Sequence, residues 1–395
     1  MRDKYHIPKD TQGRELIYFA GHSLGLQPKT VQHIVNRELH QWANSGVEGH
    51  FDVENAWYTY HERMREPLSK LVGGKSHEVG ALNSLTVNLN LLLTTFYRPT
   101  NKRYKILVEE HLFSSDYYAL EQQVKLHGLS ADECIEFIPW PKDNNGFPLE
   151  IIKHKINTLG ESLALVLLPG VQYINGQYFP MREIVKAGHN VGSIVGFDLA
   201  HAIGNVEMKL HDWQVDFACW CSYKYLNSGP GGPGGIFVHE NHLNKDLPQM
   251  AGWWGNDPDE RFAMKKAFVP VPNADRFQMS NPSILALAAH QASLAEFDKT
   301  TMPYLRKEAK RLTDLALEGF NKLNINVITP KDWDERGNQL SIEMNNAIEV
   351  NKVLRSEGII CDLRDENILR MAFCPMYNKP EEVTLFLERL ETLIR

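Results

Sequence analysis

An alternation of short apolar runs with longer amphipathic segments, through the middle of the chain, constrains this fold more than any other feature. Short apolar runs bounded by turns are typical of strands buried on both faces, and the segments between them have helical spacing. Predicted strands cover residues 104–108, 163–168, 194–198, 215–222 and 235–239. Predicted helices before or between them cover residues 31–43, 88–96, 150–159 and 181–189. We therefore expect an α/β fold whose large domain holds a mainly parallel sheet covered by helices on both faces.

The last third of the chain changes pattern, which predicts a second, smaller domain. Residues 282–299 have the length and spacing of one long helix. Helical and strand-like stretches alternate after it, and residues 381–394 are predicted to form a final helix. We expect an N-terminal arm (1–45) that packs with the small domain, a large domain (46–285) and a smaller α+β C-terminal domain (286–395).

Composition and charge favour an ordinary globular protein. The chain is 43% hydrophobic and 23% charged, with a net charge of −7. A negative balance argues against nucleic-acid and membrane-surface partners, since both require a basic face. The start is polar, and the longest apolar stretch is too short to span a bilayer. The five cysteines contain no C-x-x-C pair, so we expect reduced thiols, no metal site and a cytoplasmic location.

A lysine at the end of an apolar strand is the strongest candidate for chemistry. Lys224 follows the predicted strand 215–222 and precedes a run rich in glycine and proline, residues 229–235. Such a run lets the backbone approach a bulky ligand closely. It is not a Walker A loop, in which the glycines precede the lysine. A surface lysine beside a flexible turn is the alternative at this point.

Asp198 favours the functional interpretation, because it ends the predicted strand 194–198 and would lie at the same edge of the sheet as Lys224. An enzyme that uses pyridoxal 5′-phosphate (PLP) needs this pair. The lysine forms a Schiff base, and the carboxylate keeps the pyridine nitrogen protonated. Residues 83–88, at the start of a predicted helix, offer hydroxyl and backbone N–H groups for a phosphate. A buried salt bridge between Lys224 and Asp198 is the structural alternative.

Motifs spread over almost the whole chain support the cofactor. They are YFAGHSLGLQP (18–28), NSLTVNLN (83–90), FSSD (113–116), GFDLAHAIGN (196–205), CWCSYKYLN (219–227), GWWG (252–255) and SNP (280–282). In this combination the chain resembles the kynureninase family, PLP enzymes of fold type I that are related to the cysteine desulfurases. The resemblance implies a homodimer with shared active sites.

The resemblance also implies roles for individual residues. Lys224 would bind PLP covalently, Asp198 would pair with the ring nitrogen, and Phe113 would stack on the ring. Arg370 would hold the α-carboxylate of a small amino-acid substrate, because its planar fork matches a carboxylate bidentately. Ser23, His50 and Asn281 would also contact the substrate. Further cofactor contacts would come from Leu85, Thr86, Ser114, Ser115, Asp116, His201, Tyr223, Trp253 and, from the partner subunit, Asn281.

The reaction implied by the resemblance is hydrolysis of L-kynurenine or 3-hydroxy-L-kynurenine to anthranilate or 3-hydroxyanthranilate and L-alanine, in tryptophan catabolism and NAD biosynthesis. Lys224 would act as the base at Cα, and Tyr223 is the candidate acid at Cβ. Family members that accept the hydroxylated substrate carry His and Asn at the positions of His50 and Asn281. We therefore expect 3-hydroxykynurenine to be turned over at least comparably to kynurenine.

Two alternatives stay open. A cysteine desulfurase or another class-V PLP enzyme would need a reactive thiol, and Cys361 and Cys374 lie in apolar surroundings that suit packing better. A catalytically silent scaffold would have no need of Lys224, Asp198 and Arg370 together. The family pattern also differs at Pro169, where members often carry Ser or Thr, so no cofactor contact is predicted there.

Overall fold

Helices and strands alternate along the chain in a computed structural model that describes residues 1–51, 53–141 and 146–394. The strands are β1 (Ile17–Tyr18), β2 (Val79–Ala81), β3 (Lys105–Glu109), β4 (Ile135–Ile138), β5 (Leu163–Pro169), β6 (Ile194–Asp198), β7 (Phe217–Cys221), β8 (Gly234–Val238), β9 (Asn326–Val327), β10 (Gln339–Glu343), β11 (Ile359–Ile360), β12 (Asp362–Arg364) and β13 (Ile368–Ala372). The α-helices are α1 (Thr30–Ser45), α2 (Arg65–Val72), α3 (Leu85–Phe96), α4 (Ser114–Leu126), α5 (Ala131–Cys134), α6 (Leu149–Leu159), α7 (Met181–Asn190), α8 (Glu240–Leu243), α9 (Pro258–Arg261), α10 (Ile284–Phe297), α11 (Met302–Lys322), α12 (Ala347–Ser356) and α13 (Pro380–Ile394).

A seven-stranded sheet lies at the centre of the described residues, with the strand order β2-β8-β7-β6-β5-β3-β4. Strands β4, β3, β5, β6 and β7 run parallel, whereas β8 is antiparallel to both of its neighbours. This arrangement confirms the predicted α/β fold with a mainly parallel sheet. The five predicted strands correspond to β3, β5, β6, β7 and β8, and the predicted helices to α1, α3, α6, α7, α10 and α13.

Strand β5 shows how the sequence builds the two faces of this sheet. Successive side chains of a strand point to opposite faces, so a strand covered on both sides must be apolar at every position. Leu165 and Leu167 pack into one core cluster together with α3 and α4. Val166 and Leu168 pack into the other, together with α2, α6, α7 and α10. The sheet is therefore the middle layer of three.

The C-terminal part forms a smaller antiparallel sheet with the order β12-β13-β10-β9. Its core cluster combines the sheet with α11, α12 and α13, and the buried Phe19 joins it from the N-terminal region. The short strand β1 pairs in parallel with β11, where Ile17 lies opposite Ile359. The N-terminal residues and the small sheet are thus in contact, while the predicted domain boundaries stay a prediction. None of the helices in the described ranges is long and apolar enough to cross a membrane.

Candidate active site

A cavity of about 250 Å³ opens at the carboxyl ends of β3, β5, β6 and β7. This volume lies near the lower end of small-molecule sites, roughly 300–1,000 Å³. Asp198 ends β6, and Lys224 follows β7 after a short turn, so both line the cavity. Parallel neighbours bring their carboxyl ends to one edge, which is why two residues distant in the sequence meet here.

The amine of Lys224 is held by a histidine. Its Nζ lies 3.0 Å from Nε2 of His201, and Nδ1 of His201 has no partner among the described residues. Burial, reinforced by the positive charge of Lys224, lowers the pKa of His201 well below its ordinary value. The imidazole is therefore neutral and can accept a hydrogen bond from the lysine at Nε2.

Three carboxyl groups line the cavity together with this lysine, those of Glu109, Asp116 and Asp198. Asp116 and Asp198 are hydrogen-bonded to each other, and Asp198 also accepts a 2.7 Å hydrogen bond from the backbone N–H of Ala200. Burial raises the pKa of both; Asp198 and Glu109 raise the pKa of Asp116 further, whereas the hydrogen bonds from Asp116 and Ala200 oppose the rise for Asp198. Asp116 therefore holds the shared proton, and Asp198 carries the charge. Burial also raises the pKa of Glu109 well above its ordinary value, so Glu109 is neutral as well.

Two helix starts meet at the other end of the cavity. Leu85 and Thr86 begin α3, Ser115 lies in the first turn of α4, and the hydroxyls of Thr86 and Ser115 are 2.8 Å apart. Ser84 precedes α3 without making a side-chain capping bond. A Cβ at Gly234 would lie 2.9 Å from the backbone carbonyl carbon of Ser84 and 3.0 Å from the backbone nitrogen of Leu85, so a larger residue would displace the start of α3. Helix N-termini with hydroxyl donors suit a phosphate dianion.

Aromatic side chains border the cavity between these groups. Phe113 is 45% exposed, and its ring meets Tyr173 edge-on at a centroid distance of 5.4 Å. One face of Phe113 is thus free to cover a flat ligand. Burial raises the pKa of the Tyr223 phenol, with Cys221 adding to the effect, so Tyr223 is protonated at neutral pH.

Arg370 is the cation on the side of the cavity that the small sheet forms. It lies on β13, is only 1% exposed, and lines the cavity. One end of its guanidinium donates to the backbone oxygen of Tyr173, and the other pairs with the carboxylate of Asp362. A buried guanidinium fixed in this way can offer its remaining N–H groups to a second carboxylate.

Most of the predicted site residues meet in this one cavity. Those that line it are Ser23, Leu85, Thr86, Phe113, Ser115, Asp116, Asp198, His201, Tyr223, Lys224 and Arg370. Pro169 also lines the cavity and, as expected, has no hydroxyl or N–H to offer. Four predicted residues do not line it within a single chain, namely Ser114, His50, Trp253 and Asn281. The roles assigned to all of these residues stay predictions.

Two of these outlying residues belong to an aromatic surface region. His50 bonds the backbone oxygen of Val47 through Nδ1 at 3.1 Å and packs edge-on against Trp57. Trp253 is 37% exposed and packs edge-on against Phe262. Neither residue lines the cavity of its own chain.

Several residues of the cavity were not predicted. Glu109 ends β3 as Asp198 ends β6, so strand-end position was an available signal for it. Tyr173, Arg364 and His22 also line the cavity, but they stand in loops or short elements without a comparable pattern. Away from the cavity, Glu78, His211 and His239 bring possible metal-ligand atoms within 4.8 Å of one another. These groups already bond each other or the backbone, so we assign no metal there.

Comparisons with known proteins identify the family. The model of the kynureninase C-terminal domain matches residues 305–390. The kynureninase of Christiangramia forsetii is 45% identical over 393 residues, covering 98% of this chain and 92% of that protein. The chain belongs to the kynureninase family. The kynureninase of Myxococcus xanthus is 44% identical over 399 residues, with 99% and 93% of the two chains covered.

Solved structures of other enzymes share the fold of this kynureninase-family chain. A cysteine desulfurase from Thermococcus onnurineus superposes with a TM-score of 0.80 at 20% identity, covering 98% of both chains. The Escherichia coli cysteine desulfurase CsdA gives a TM-score of 0.81 at 14% identity, covering 100% of this chain and 97% of that one. At such identities the likeness shows the fold alone. The predicted fold, that of PLP-dependent enzymes of type I, is confirmed.

The cysteines of this kynureninase-family chain do not support the desulfurase alternative. Cys361 and Cys374 are both buried, and burial raises the pKa of each thiol, to about 11 for Cys374. A nucleophilic cysteine needs exposure and a lowered pKa, because the thiolate is the reactive form. Both thiols are therefore packing residues.

Proposed function

We propose that this member of the kynureninase family hydrolyses L-kynurenine and/or 3-hydroxy-L-kynurenine to anthranilate or 3-hydroxyanthranilate and L-alanine, as a step of tryptophan catabolism and NAD biosynthesis. The observation that carries the proposal is the meeting of Lys224, Asp198 and Arg370 in one cavity. A lysine and a strand-end carboxylate suit the cofactor, while the arginine suits an amino-acid carboxylate.

PLP is the proposed cofactor, and the residues present fit it. Lys224 offers an amine, Asp198 a carboxylate for the ring nitrogen, and Phe113 an open aromatic face. The starts of α3 and α4 offer hydroxyls and helix N-termini for the phosphate. When bound, PLP supplies an electron-accepting ring that stabilises negative charge at the substrate Cα.

The residues of the chain divide the remaining work. Arg370 binds the α-carboxylate and orients the amino acid. Lys224, held by His201, removes the proton from Cα, and the charged Asp198 stabilises positive charge on the ring nitrogen. A water molecule adds to the γ-carbonyl, and the Cβ–Cγ bond breaks to give the carboxylate of the aromatic product. Tyr223, protonated at neutral pH, then delivers a proton to Cβ, and Lys224 returns the proton to Cα, which completes L-alanine.

Anthranilate fluorescence tests this function directly. Protein supplied with PLP is incubated with L-kynurenine, and Lys224→Ala serves as the matched control. We expect fluorescence from the wild type and none above background from the variant. A folded, PLP-loaded wild type that forms neither anthranilate from L-kynurenine nor 3-hydroxyanthranilate from 3-hydroxy-L-kynurenine would refute the proposal. Sulfide release from L-cysteine would instead indicate the desulfurase class, and binding without turnover a silent scaffold.

We further propose that the protein is a homodimer whose active sites draw on both subunits. Within one chain, His50, Trp253 and Asn281 lie outside the cavity. The surface around Trp253 exposes large apolar side chains, with Phe51 49%, Phe262 55% and Met264 73% exposed. Exposed apolar surface of this kind is typical of an interface. If a second copy of the chain covers this surface, His50, Trp253 and Asn281 of each subunit can contact the substrate and cofactor in the cavity of the other subunit.

Subunit mixing tests the shared site. Lys224→Ala and Trp253→Ala chains are each expected to be nearly inactive alone. Unfolded and refolded together, they form hybrids in which one site has the wild-type lysine and the partner's wild-type tryptophan. Activity should return toward about a quarter of the wild-type value, because half of the dimers are hybrids with one intact site. No recovery by hybrids of confirmed composition would contradict sharing. A cytoplasmic location stays a prediction based on the cysteine pattern.

A further inference from the structure

Asp362 joins two separate parts of the chain beside the cavity. This residue begins β12, and its side chain is 18% exposed. Its Oδ2 pairs with Arg370 on β13, accepts a 2.9 Å hydrogen bond from the hydroxyl of Ser23, and lies 3.3 Å from Nε2 of His22. The N-terminal region and the small sheet therefore converge on one carboxylate oxygen.

Arg370 depends on this contact for its orientation. The guanidinium is buried, and a buried cation without a counter-charge is strongly unfavourable. Its two ends are held by Asp362 and by the backbone oxygen of Tyr173, whereas Nε has no partner among the described residues. The guanidinium is thus fixed from both ends, with N–H groups left over for a ligand.

Coulombic attraction and orientation make opposite predictions for Asp362. Arg370 and Arg364 both line the cavity, and Asp362 contacts both, at 3.4 Å for Arg364. The other titratable groups that face Arg370 among the described residues are His22, Tyr173, His201 and Tyr225. Removing the negative charge of Asp362 would make this wall more positive, and simple attraction would then bind an anionic substrate more tightly. Loss of orientation would instead weaken binding, because a bidentate fork discriminates by geometry.

We propose that Asp362 is a positioning residue that fixes Arg370 for the α-carboxylate of the substrate. This inference rests on the proposed function, since it assigns the same carboxylate to Arg370. Asp362 itself does not touch the substrate and acts through the guanidinium. Because the α-carboxylate is bound both before and during the reaction, the effect falls mainly on KM.

The first test compares Asp362→Asn with Asp365→Asn. Both changes remove one negative charge from the same hairpin, but Asp365 is exposed and has a φ of 49°, which asparagine tolerates. In PLP-loaded enzyme we expect Asp362→Asn to raise KM for L-kynurenine by about 10- to 100-fold, the scale of a charged hydrogen bond, and to lower kcat by less than about threefold. Asp365→Asn should leave both constants within about twofold. A KM that stays unchanged or falls would overturn the proposal.

A double-mutant cycle with Arg370→Lys tests whether Asp362 acts through the arginine. If it does, adding Asp362→Asn to Arg370→Lys should change kcat/KM by less than about threefold. If the losses in kcat/KM of the two single variants multiply in the double variant, Asp362 acts independently of Arg370, and the inference is overturned. Asp362→Glu keeps the negative charge, so its KM should lie between the KM of the wild type and that of Asp362→Asn. This conservative variant keeps the proposal testable if Asp362→Asn does not fold. Failure of the proposed function would be distinguishable, because the wild type would then form no anthranilate at all.

Discussion

Asp116→Asn and Asp198→Asn each remove one carboxyl group from the same hydrogen-bonded pair, yet we expect very different effects on turnover. Asp116 has its pKa raised well above the ordinary value by burial and by Asp198, so at neutral pH it is a hydrogen-bond donor. An asparagine amide can donate in its place. Asp198 carries the charge of the pair, and asparagine cannot replace that charge.

The magnitudes follow from this difference. Loss of one strong electrostatic contact at an active site lowers kcat by roughly 10²- to 10³-fold, or about 3–4 kcal/mol, and we expect this for Asp198→Asn. In Asp116→Asn a neutral carboxyl donor is replaced by a neutral amide donor, so kcat should fall by less than about tenfold, or about 1.4 kcal/mol. Glu109→Gln is a matched control, since Glu109 is also buried and neutral, and it should be similarly mild.

Initial rates of anthranilate formation at saturating L-kynurenine measure the three effects. PLP occupancy is determined from the absorbance of each purified variant, so that loss of cofactor is not counted as loss of turnover. Equal losses in Asp116→Asn and Asp198→Asn, or a larger loss in the former, would refute the assignment of charge. Near-wild-type turnover of Asp198→Asn would mean that another acid serves the ring.

The remaining predictions concern the lysine, the arginine, the aryl ring and stability. Purified wild type should be yellow, and Lys224→Ala should lose both the lysine-dependent absorbance band and turnover; a variant that retains both would disprove the assignment. Arg370→Lys should raise KM while PLP stays bound, because a point charge replaces a planar fork, and unchanged substrate affinity would place the carboxylate elsewhere. Changing His50 and Asn281 to apolar residues should reduce kcat/KM for 3-hydroxykynurenine more than for kynurenine, and equal losses would show that they do not contact the ring hydroxyl. Because the folded-state pKa of Asp116 exceeds its unfolded value of about 3.9, its favourable contribution to stability is complete below that pH and is lost as pH rises toward the folded pKa. Asp116→Asn should therefore flatten the decline of the thermal midpoint above about pH 4, and an unchanged slope would contradict the raised pKa.

The parallel sheet was predictable because its strands are apolar at every position, as β5 illustrates. Strand β2 has only three residues, and β4 has two of its four residues outside the core, so neither gives a strong pattern. The antiparallel direction of β8 is equally hidden, since a fully buried strand has the same composition in either direction. Strand composition reports burial better than direction.

The candidate site likewise contains some residues that the sequence predicts and others that it does not. Asp198 and Lys224 were found because strand ends in a parallel sheet share one edge. Tyr173 and Asp362 were missed because their importance arises from contacts with Arg370, which lies far from Tyr173 in the sequence. Family resemblance suggested roles for His50, Trp253 and Asn281. The structure of a single chain does not test these roles if a second subunit is needed to bring the three residues to a cavity.

The pairing of β1 with β11 has a consequence for biosynthesis. Ile17 lies opposite Ile359, so β1 is translated long before the strand with which it pairs. Contacts between such distant residues form slowly, because a long loop must close before they contribute. The strands that hold Asp198 and Lys224 can emerge from the ribosome and pair before Arg370 has been synthesised. We therefore expect the side of the cavity that holds Asp198 and Lys224 to assemble first and the side that holds Arg370 to close last.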